Sequence, residues 1–185
     1  MRILGVDPGL RVTGYAVIGV EDADRAAADV ELIEAGVVRT PGPAEGIAAR
    51  LRKIHDSLSE LILELAPDVL VIEKLYAHYE HPTTAILMGH VRGVVCLLSG
   101  LHGVPLASMA STHVKKAITG RGHASKEQVQ RMVQQTLSLK KMPEPADVAD
   151  ALAIALAWAA SRKMQRVPSS VRAVAVAPRL RKVAV

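Results

Sequence analysis

The most constraining feature of the sequence is a short, continuous apolar segment that directly follows an amphipathic helix. From residue 45 to 66, apolar residues recur at three- and four-residue steps, which predicts a helix that Pro67 ends. Residues 68–74, with the sequence DVLVIEK, then form a nearly uninterrupted apolar strand, which indicates burial on both faces of a sheet. A helix that leads into such a strand is typical of an α/β fold.

The remaining pattern predicts a mixed sheet with helices on its faces. Strands are predicted at 2–7, 12–19, 31–39 and 104–110, and helices at 82–100, 111–118, 126–138 and from about Asp147 to 161. A short turn joins the first two strands, so they are expected to be antiparallel neighbours, while the acidic segment 20–30 forms a long hairpin connection. Ser125 is the expected cap of its helix. The last helix is apolar on nearly every side, which predicts that it is buried.

Charge divides the chain into a body, 1–160, and a basic tail, 161–185, that is predicted to be disordered. The tail carries seven of the 23 Lys and Arg residues and none of the 18 acids, so the body is slightly acidic. Within the body, residues 85–142 contain eight Lys or Arg and a single acid, Glu127. A nucleic-acid partner fits this distribution, but a solvated surface with a disordered tail fits it as well.

Cysteine content and hydropathy indicate the compartment. Cys96 is the single cysteine, so no intrachain disulfide can form, which agrees with a reducing cytoplasmic setting. The N-terminus lacks the apolar region of a signal peptide, and no uninterrupted apolar run is long enough to span a membrane. Gly89 and Gly93 in the second long helix permit another helix to approach closely, either within the chain or from a second copy.

Four carboxylates stand at positions where a metal site can form. Asp7 ends the first strand and Glu73 the fourth, while Asp147 and Asp150 share one face at a helix N-terminus. Clustered carboxylates repel one another, and a divalent cation relieves that repulsion; oxygen ligands favour Mg²⁺ or Mn²⁺ over zinc. Simpler interpretations exist for three of them: Asp7 as a turn residue, Asp147 as an N-cap and Asp150 as an ordinary first-turn acid. Glu73, at the end of a buried strand, has no such local explanation.

These segments resemble the RuvC family of Holliday-junction resolvases. The resemblance runs in order from about residue 1 to 160 and rests on GVDPG with GYAV, DVLVIEKLY, THVKKAITGRGHASKEQV and ADVADALAIA. It implies a ribonuclease-H-like fold with a five-stranded mixed sheet flanked by helices. It also implies a homodimer that makes paired nicks in a four-way DNA junction, with two Mg²⁺ ions per site (or Mn²⁺) and a RuvA–RuvB branch-migration partner. Catalysis and metal binding would fall to Asp7, Glu73, Asp147 and Asp150.

The same resemblance assigns residues to DNA binding. Tyr76 stands where the family carries an aromatic residue, more often Phe, that stacks near the junction centre. Lys115 and Lys126 match family lysines that support phosphate binding and cleavage, and the loop between them adds Arg121 and His123 as expected DNA contacts. For Tyr76 the alternative is a core tyrosine, and for each lysine a solvated surface charge.

Three other functions remain open from the sequence. Actin-like kinases share a strand–turn–strand opening with an Asp-x-Gly loop, although they normally need two related lobes. A junction-binding scaffold without activity would keep the fold, but the presence of all four carboxylates argues against it. A ribonuclease-H-like nuclease that acts on RNA–DNA hybrids or RNA would use the same carboxylate chemistry.

Overall fold

A computed structural model describes residues 1–21, 30–74 and 82–164 of the chain. The strands are β1 (Arg2–Asp7), β2 (Val12–Val20), β3 (Val30–Arg39), β4 (Val69–Glu73) and β5 (Leu106–Met109). The helices are α1 (Gly46–Leu65), α2 (Pro82–His102), α3 (Ser111–Thr119), α4 (Lys126–Thr136) and α5 (Ala146–Met164), with a 3₁₀ turn at Pro43–Glu45. Most of the predicted 20–30 connection, together with Tyr76 and most of the 161–185 tail, lies outside the described residues.

The five strands form one mixed sheet in the order β3-β2-β1-β4-β5. β1 pairs antiparallel with β2 and parallel with β4, and β4 pairs parallel with β5. The predicted five-stranded mixed sheet and the antiparallel opening hairpin are therefore confirmed. β1 occupies the central position, with the parallel half of the sheet on one side and the antiparallel half on the other.

Helices cover both faces of the sheet, and alternate residues of β4 point to different cores. Val69 and Val71 belong to the core that contains α5, α3 and α4. Leu70 and Ile72 belong to the core that contains α1 and α2. Because both faces are covered, the strand has no polar side until Glu73, which confirms the two-sided burial that its apolar run predicts.

Helix ends follow local sequence signals. Ser125 accepts a hydrogen bond from the Gln128 backbone N–H, and the Gln128 side chain accepts one from the Ser125 N–H, which together form a capping box. The predicted cap is confirmed, although α4 ends at Thr136, two residues earlier than its pattern suggests. α5 is buried through most of its length, as predicted.

Among the described residues, α2 packs against the rest of the chain on one side. Its residues Val91, Val95 and Leu98 are fully buried in the core against the sheet and α1. By length and mean hydropathy, 1.6 over Thr84–His102, this segment could also cross a membrane, yet only 17% of the window is buried within the chain. Ile86, Leu97 and Leu101 instead form an exposed apolar face on a helix that is anchored to the sheet.

Candidate active site

The ends of β1 and β4 place two carboxylates side by side. Asp7 is the last residue of β1 and Glu73 the last residue of β4. The two strands are parallel neighbours, and Val6 pairs with Ile72 immediately before the two acids. Because the carboxyl ends of parallel strands meet at the same edge of a sheet, both side chains belong to one site.

Two glycines allow α5 to lie unusually close to the sheet at this edge. Gly14 pairs with Asp7 across the β1–β2 ladder, and a Cβ added to Gly14 would overlap the Asp147 carbonyl group. A Cβ added to Gly5 would overlap the carbonyl oxygen of Ala151. The absence of side chains at these two positions brings the first turns of α5 against the end of β1.

The beginning of α5 supplies the other two acids. The helix starts at Ala146, so Asp147 lies inside its first turn rather than at the N-cap position, and Asp150 follows one turn later. The positive end of the helix dipole favours carboxylates there. The interpretation of Asp147 as a plain N-cap is therefore wrong for this chain.

Asp7 is the electrostatic centre of the four acids. Burial raises the pKa of Asp7 to about 7, and repulsion by Asp150, Asp147 and Glu73 adds to the rise, against a smaller opposing effect of Lys126. Burial likewise raises the pKa of Glu73, against a hydrogen bond from the Ser111 hydroxyl that lowers it. All three other acids act on Asp7 because it lies on the central strand, between β4 and α5.

Lysines at the start of α4 and on α3 face these carboxylates. The Lys126 ammonium donates to Asp150 Oδ2 over 2.6 Å, and this contact is the main reason that the pKa of Lys126 is raised. Lys115 is half-buried and its charge lowers the pKa of Glu73. A cavity of about 200 Å³ joins these groups. It is lined by Asp7, Glu73, Ser111, Val114, Lys115, Lys126, Val129, Asp150, Ala153 and Ile154.

The donor set fits a hard divalent cation, although it is not preassembled. All four acids offer oxygen atoms only, the ligands that Mg²⁺ and Mn²⁺ prefer. Within residues 1–21, 30–74 and 82–164, no three Asp, Glu, His or Cys side chains lie close enough together to hold one ion as they stand. Asp150 instead contacts the Lys126 ammonium, so a metal ion there would have to replace one cation with another.

The predicted DNA-binding residues separate into two groups. Lys115 and Lys126 line the active-site cavity, whereas Arg121 lies in a neighbouring cavity of about 360 Å³ that also contains Arg131. His123 is exposed in the loop before α4 and lines neither cavity. Arg121 and His123 therefore stand outside the cavity that holds the acids.

Two residues at the site are absent from the sequence-based predictions. Ser111, the first residue of α3, lines the cavity and hydrogen-bonds to Glu73. The Arg92 guanidinium donates to the main-chain oxygen of Glu73 over 2.7 Å. Arg92 carried a sequence signal, since it is the single Asp, Glu, Lys or Arg in the apolar segment 82–102. Ser111 carried none beyond its place at the start of a helix.

Comparison with known proteins places the chain in a family. The family model described as crossover junction endodeoxyribonuclease RuvC matches residues 3–158. A protein of that name from Rhodopirellula baltica is 49% identical over 154 residues, covering 83% of each chain. Another from Tolumonas auensis is 42% identical, covering 83% of this chain and 84% of the other. Because the family model covers residues 3–158, the alternative that the chain is an actin-like kinase is excluded.

Solved structures give the same result. Thermus thermophilus RuvC, both alone and in complex with Holliday junction substrate, is 34% identical with a TM-score of 0.80, covering 89% of this chain and 96% of the other. The yeast mitochondrial Holliday junction resolvase is 13% identical with a TM-score of 0.58, covering 87% of this chain and 78% of the other, and supports the fold alone. The chain thus belongs to the RuvC family of crossover junction endodeoxyribonucleases, hydrolytic nucleases with a ribonuclease-H-like fold.

Proposed function

We propose that this nuclease resolves four-way DNA junctions by paired, symmetric nicks during recombination and repair. The observation that supports it best is the gathering of three carboxylates and two lysines in one cavity, with Asp7 at its electrostatic centre. The substrate comes from the family: the Thermus thermophilus relative is described in complex with Holliday junction substrate. In the cell, such a substrate places the protein in the cytoplasm, with the RuvA–RuvB complex as the expected partner.

The metal ligands in this proposal are Asp7, Glu73, Asp147 and Asp150. Two Mg²⁺ ions, or Mn²⁺ in their place, would polarise the scissile phosphate and make a bound water acidic enough to attack it. Asp7 would be available to both ions, because Glu73 lies on one side of it and the start of α5 on the other. The products would carry a 5′-phosphate and a 3′-hydroxyl.

The lysines act on the DNA rather than on the metal. Lys115 and Lys126 hold phosphates as point charges beside the acids, since a flexible ammonium needs no fixed geometry. With Asp150 taken up as a metal ligand, Lys126 would be free to face the substrate backbone. Arg121 and His123 contact the DNA farther out, and Tyr76 stacks on a base at the junction centre. The basic 161–185 tail adds salt-sensitive affinity that does not depend on sequence.

A homodimer is proposed because α2 leaves an apolar face exposed. Ile86, Leu97 and Leu101 are 60%, 54% and 63% exposed. Their spacing places them in one stripe of the helix together with Gly89 and Gly93. A Cβ added to either glycine would meet no neighbouring element of the described chain within 4 Å, so packing against the described part of the monomer does not account for them.

A second copy of the chain is the partner that this face fits. Paired cuts in a symmetric junction require two active sites, and a two-fold axis through α2 would supply them. Gly89 and Gly93 let the two helices approach closely, and the exposed leucines pack around the crossing point. The exposed single cysteine, Cys96, lies beside this stripe and would come near its counterpart.

The proposed dimer is tested by introducing one charged residue into the exposed apolar face of α2. Leu97→Glu should convert the dimer to monomers in sedimentation velocity, because it places two like charges in an apolar contact. Leu63→Glu is the matched control, since Leu63 is 70% exposed on α1 and away from the stripe. A short bis-maleimide should join two wild-type chains through Cys96. A monomeric wild type, or equal dissociation by both variants, would contradict the proposal.

Substrate choice is tested by comparing four DNA and RNA structures. A four-way junction, a fork, a linear duplex and an RNA–DNA hybrid are incubated with the full chain in Mg²⁺ and Mn²⁺. We expect cleavage of the junction alone at low protein concentration, with symmetric nick positions. Preferred cleavage of the hybrid would support the ribonuclease-H-like alternative, and binding without any cleavage would support the scaffold alternative.

A further inference from the structure

Arg92 is a charged residue in an otherwise apolar helix. It is the single Asp, Glu, Lys or Arg between residues 82 and 102, it is half-buried, and its neighbour Val91 is fully buried. Placing a guanidinium against a core costs free energy unless its N–H groups find acceptors. The acceptors that Arg92 uses therefore indicate what the residue is for.

The two acceptors lie on neighbouring strands. One terminal nitrogen of Arg92 donates to the main-chain oxygen of Glu73 over 2.7 Å, and the other donates to the Ser108 hydroxyl over 3.0 Å. Ser108 lies on β5 beside the end of β4, where it pairs with Ile72. A planar guanidinium can hold two acceptors at a fixed separation, which a lysine cannot do.

The contact is made from the face of the sheet opposite the active site. Side chains alternate along β4, so Glu73 points to the same side as Val69 and Val71, toward α5, while Arg92 belongs to α2 on the other side. Arg92 does not line the active-site cavity. Arg92 binds the main-chain oxygen of Glu73 from the α2 side of the sheet, while the Glu73 carboxylate faces the cavity on the other side.

A main-chain hydrogen bond to β5 also holds this end of the strand. The last main-chain bond of β4 to β5 runs from the Lys74 N–H to the Met109 oxygen, directly after Glu73. The Arg92 contact fixes the Glu73 peptide between that bond and α2. A small rotation of this peptide would swing the Glu73 carboxylate relative to Asp7.

We propose that Arg92 is a positioning residue that sets the place of the Glu73 carboxylate by holding its main-chain oxygen. The inference rests on the proposed function in one respect, namely that Glu73 is a metal ligand. Beyond that function, Arg92 is a residue outside the cavity through which α2 determines the geometry of the site. Arg92 touches neither the DNA nor the metal in this account.

The test is a double-mutant cycle on Mn²⁺ affinity. Binding of Mn²⁺ to the DNA-free full chain is followed by the EPR signal of free Mn²⁺ for wild type, Arg92→Met, Glu73→Gln and the double variant. We expect Arg92→Met to weaken Mn²⁺ binding on the order of tenfold, the lower end of losses for residues that orient metal ligands. In the Glu73→Gln background the same change should have no further effect, because the group it positions is gone.

Two further variants separate positioning from general stability. Arg2→Met is the matched control, since Arg2 also donates to a main-chain oxygen, that of Leu65, but at the opposite end of β1 from Asp7. It should leave Mn²⁺ affinity unchanged. Arg92→Lys should recover part of the loss, because one ammonium can still reach Glu73, and it carries the test if the Met variant does not fold. Cleavage should require more Mn²⁺ for half-maximal rate in both Arg92 variants, with unchanged junction affinity.

The outcomes distinguish the two proposals. If Glu73→Gln binds Mn²⁺ like wild type, the ligand assignment in the proposed function fails. If Glu73→Gln weakens binding but both Arg92 variants bind Mn²⁺ like wild type, the positioning role of Arg92 fails alone. Equal losses from Arg92→Met in the presence and absence of Glu73 would also overturn it, since the effect would then not pass through Glu73.

Discussion

Replacing Gly14 with alanine tests how the active site is assembled. Gly14 lies on β2 opposite Asp7, and the backbone of Asp147 at the start of α5 passes directly over it. An added methyl group would overlap the Asp147 carbonyl, and neither group is the free end of a flexible side chain. The substitution therefore has to push the start of α5 away from the sheet.

The size of the effect follows from that overlap. To restore an ordinary contact of about 3.5 Å with the Asp147 carbonyl oxygen, the first turn of α5 has to move by roughly 1.5 Å. Overpacking of this kind costs about 1–3 kcal/mol of folding free energy, which a domain with about 5–15 kcal/mol of stability survives. A displacement of about 1 Å at a reacting group costs roughly 100-fold in rate. Cleavage should therefore fall far more than stability.

Gly19→Ala is the matched control, because Gly19 lies on the same strand and its added Cβ would meet only ordinary contacts with Ile33 and Glu31. Single-turnover cleavage of a four-way junction and denaturant unfolding are measured for both variants. We expect a loss on the order of 100-fold for Gly14→Ala and a near wild-type rate for Gly19→Ala. A Gly14→Ala rate within about threefold of wild type, or equal losses in both variants, would refute the reasoning.

Two further predictions concern the charges of the site. Because the pKa of metal-free Asp7 is about 7, the Mn²⁺ affinity of the DNA-free chain should fall as the pH drops below 7. Asp7→Asn should flatten this dependence of affinity on pH. A wild-type affinity that does not change with pH would contradict the prediction. In the metal-free protein, the stability that Asp7 contributes is fully present below pH 3.8 and is lost as pH rises through about 7. Lys126→Gln should tighten Mn²⁺ binding, because Mn²⁺ would no longer have to displace the Lys126 ammonium from Asp150. The expected gain is up to about fivefold, which corresponds to the roughly 1 kcal/mol that an ion pair of this kind contributes. Lys115→Gln removes a charge but leaves the Lys126–Asp150 pair intact, so it should change Mn²⁺ affinity less. Calorimetric titration with Mn²⁺ measures both affinities. Equal effects of the two substitutions would mean that only the total charge of the site matters.

The sequence was most informative where local rules determine the structure. The apolar run before Glu73 correctly predicted a strand buried on both faces, because β4 must alternate between two cores. Ser125 could be predicted as an N-cap because its side chain caps its own helix and needs no partner from a distant part of the chain. Asp7 and Glu73 could be assigned to neighbouring strand ends because both follow short apolar strands.

Features that depend on distant parts of the chain could not be predicted. Nothing near Gly14 in the sequence indicates that α5, more than 130 residues later, rests on it. The pairing of Lys126 with Asp150 and the bond from Arg92 to Glu73 likewise join separate elements that only the folded chain brings together. The interpretation of Asp147 as an N-cap failed because α5 begins one residue before it.

Asp7 is proposed to act in the chemistry of cleavage rather than in DNA recognition, and the Asp7→Asn variant separates the two roles. The substitution keeps the shape of the side chain and removes the charge that metal binding needs. Cleavage of a four-way junction in Mg²⁺ and binding of the same junction are measured on one preparation of the full chain. We expect cleavage to be abolished while junction binding is retained. Cleavage by Asp7→Asn at the wild-type rate would contradict the assignment of the active site.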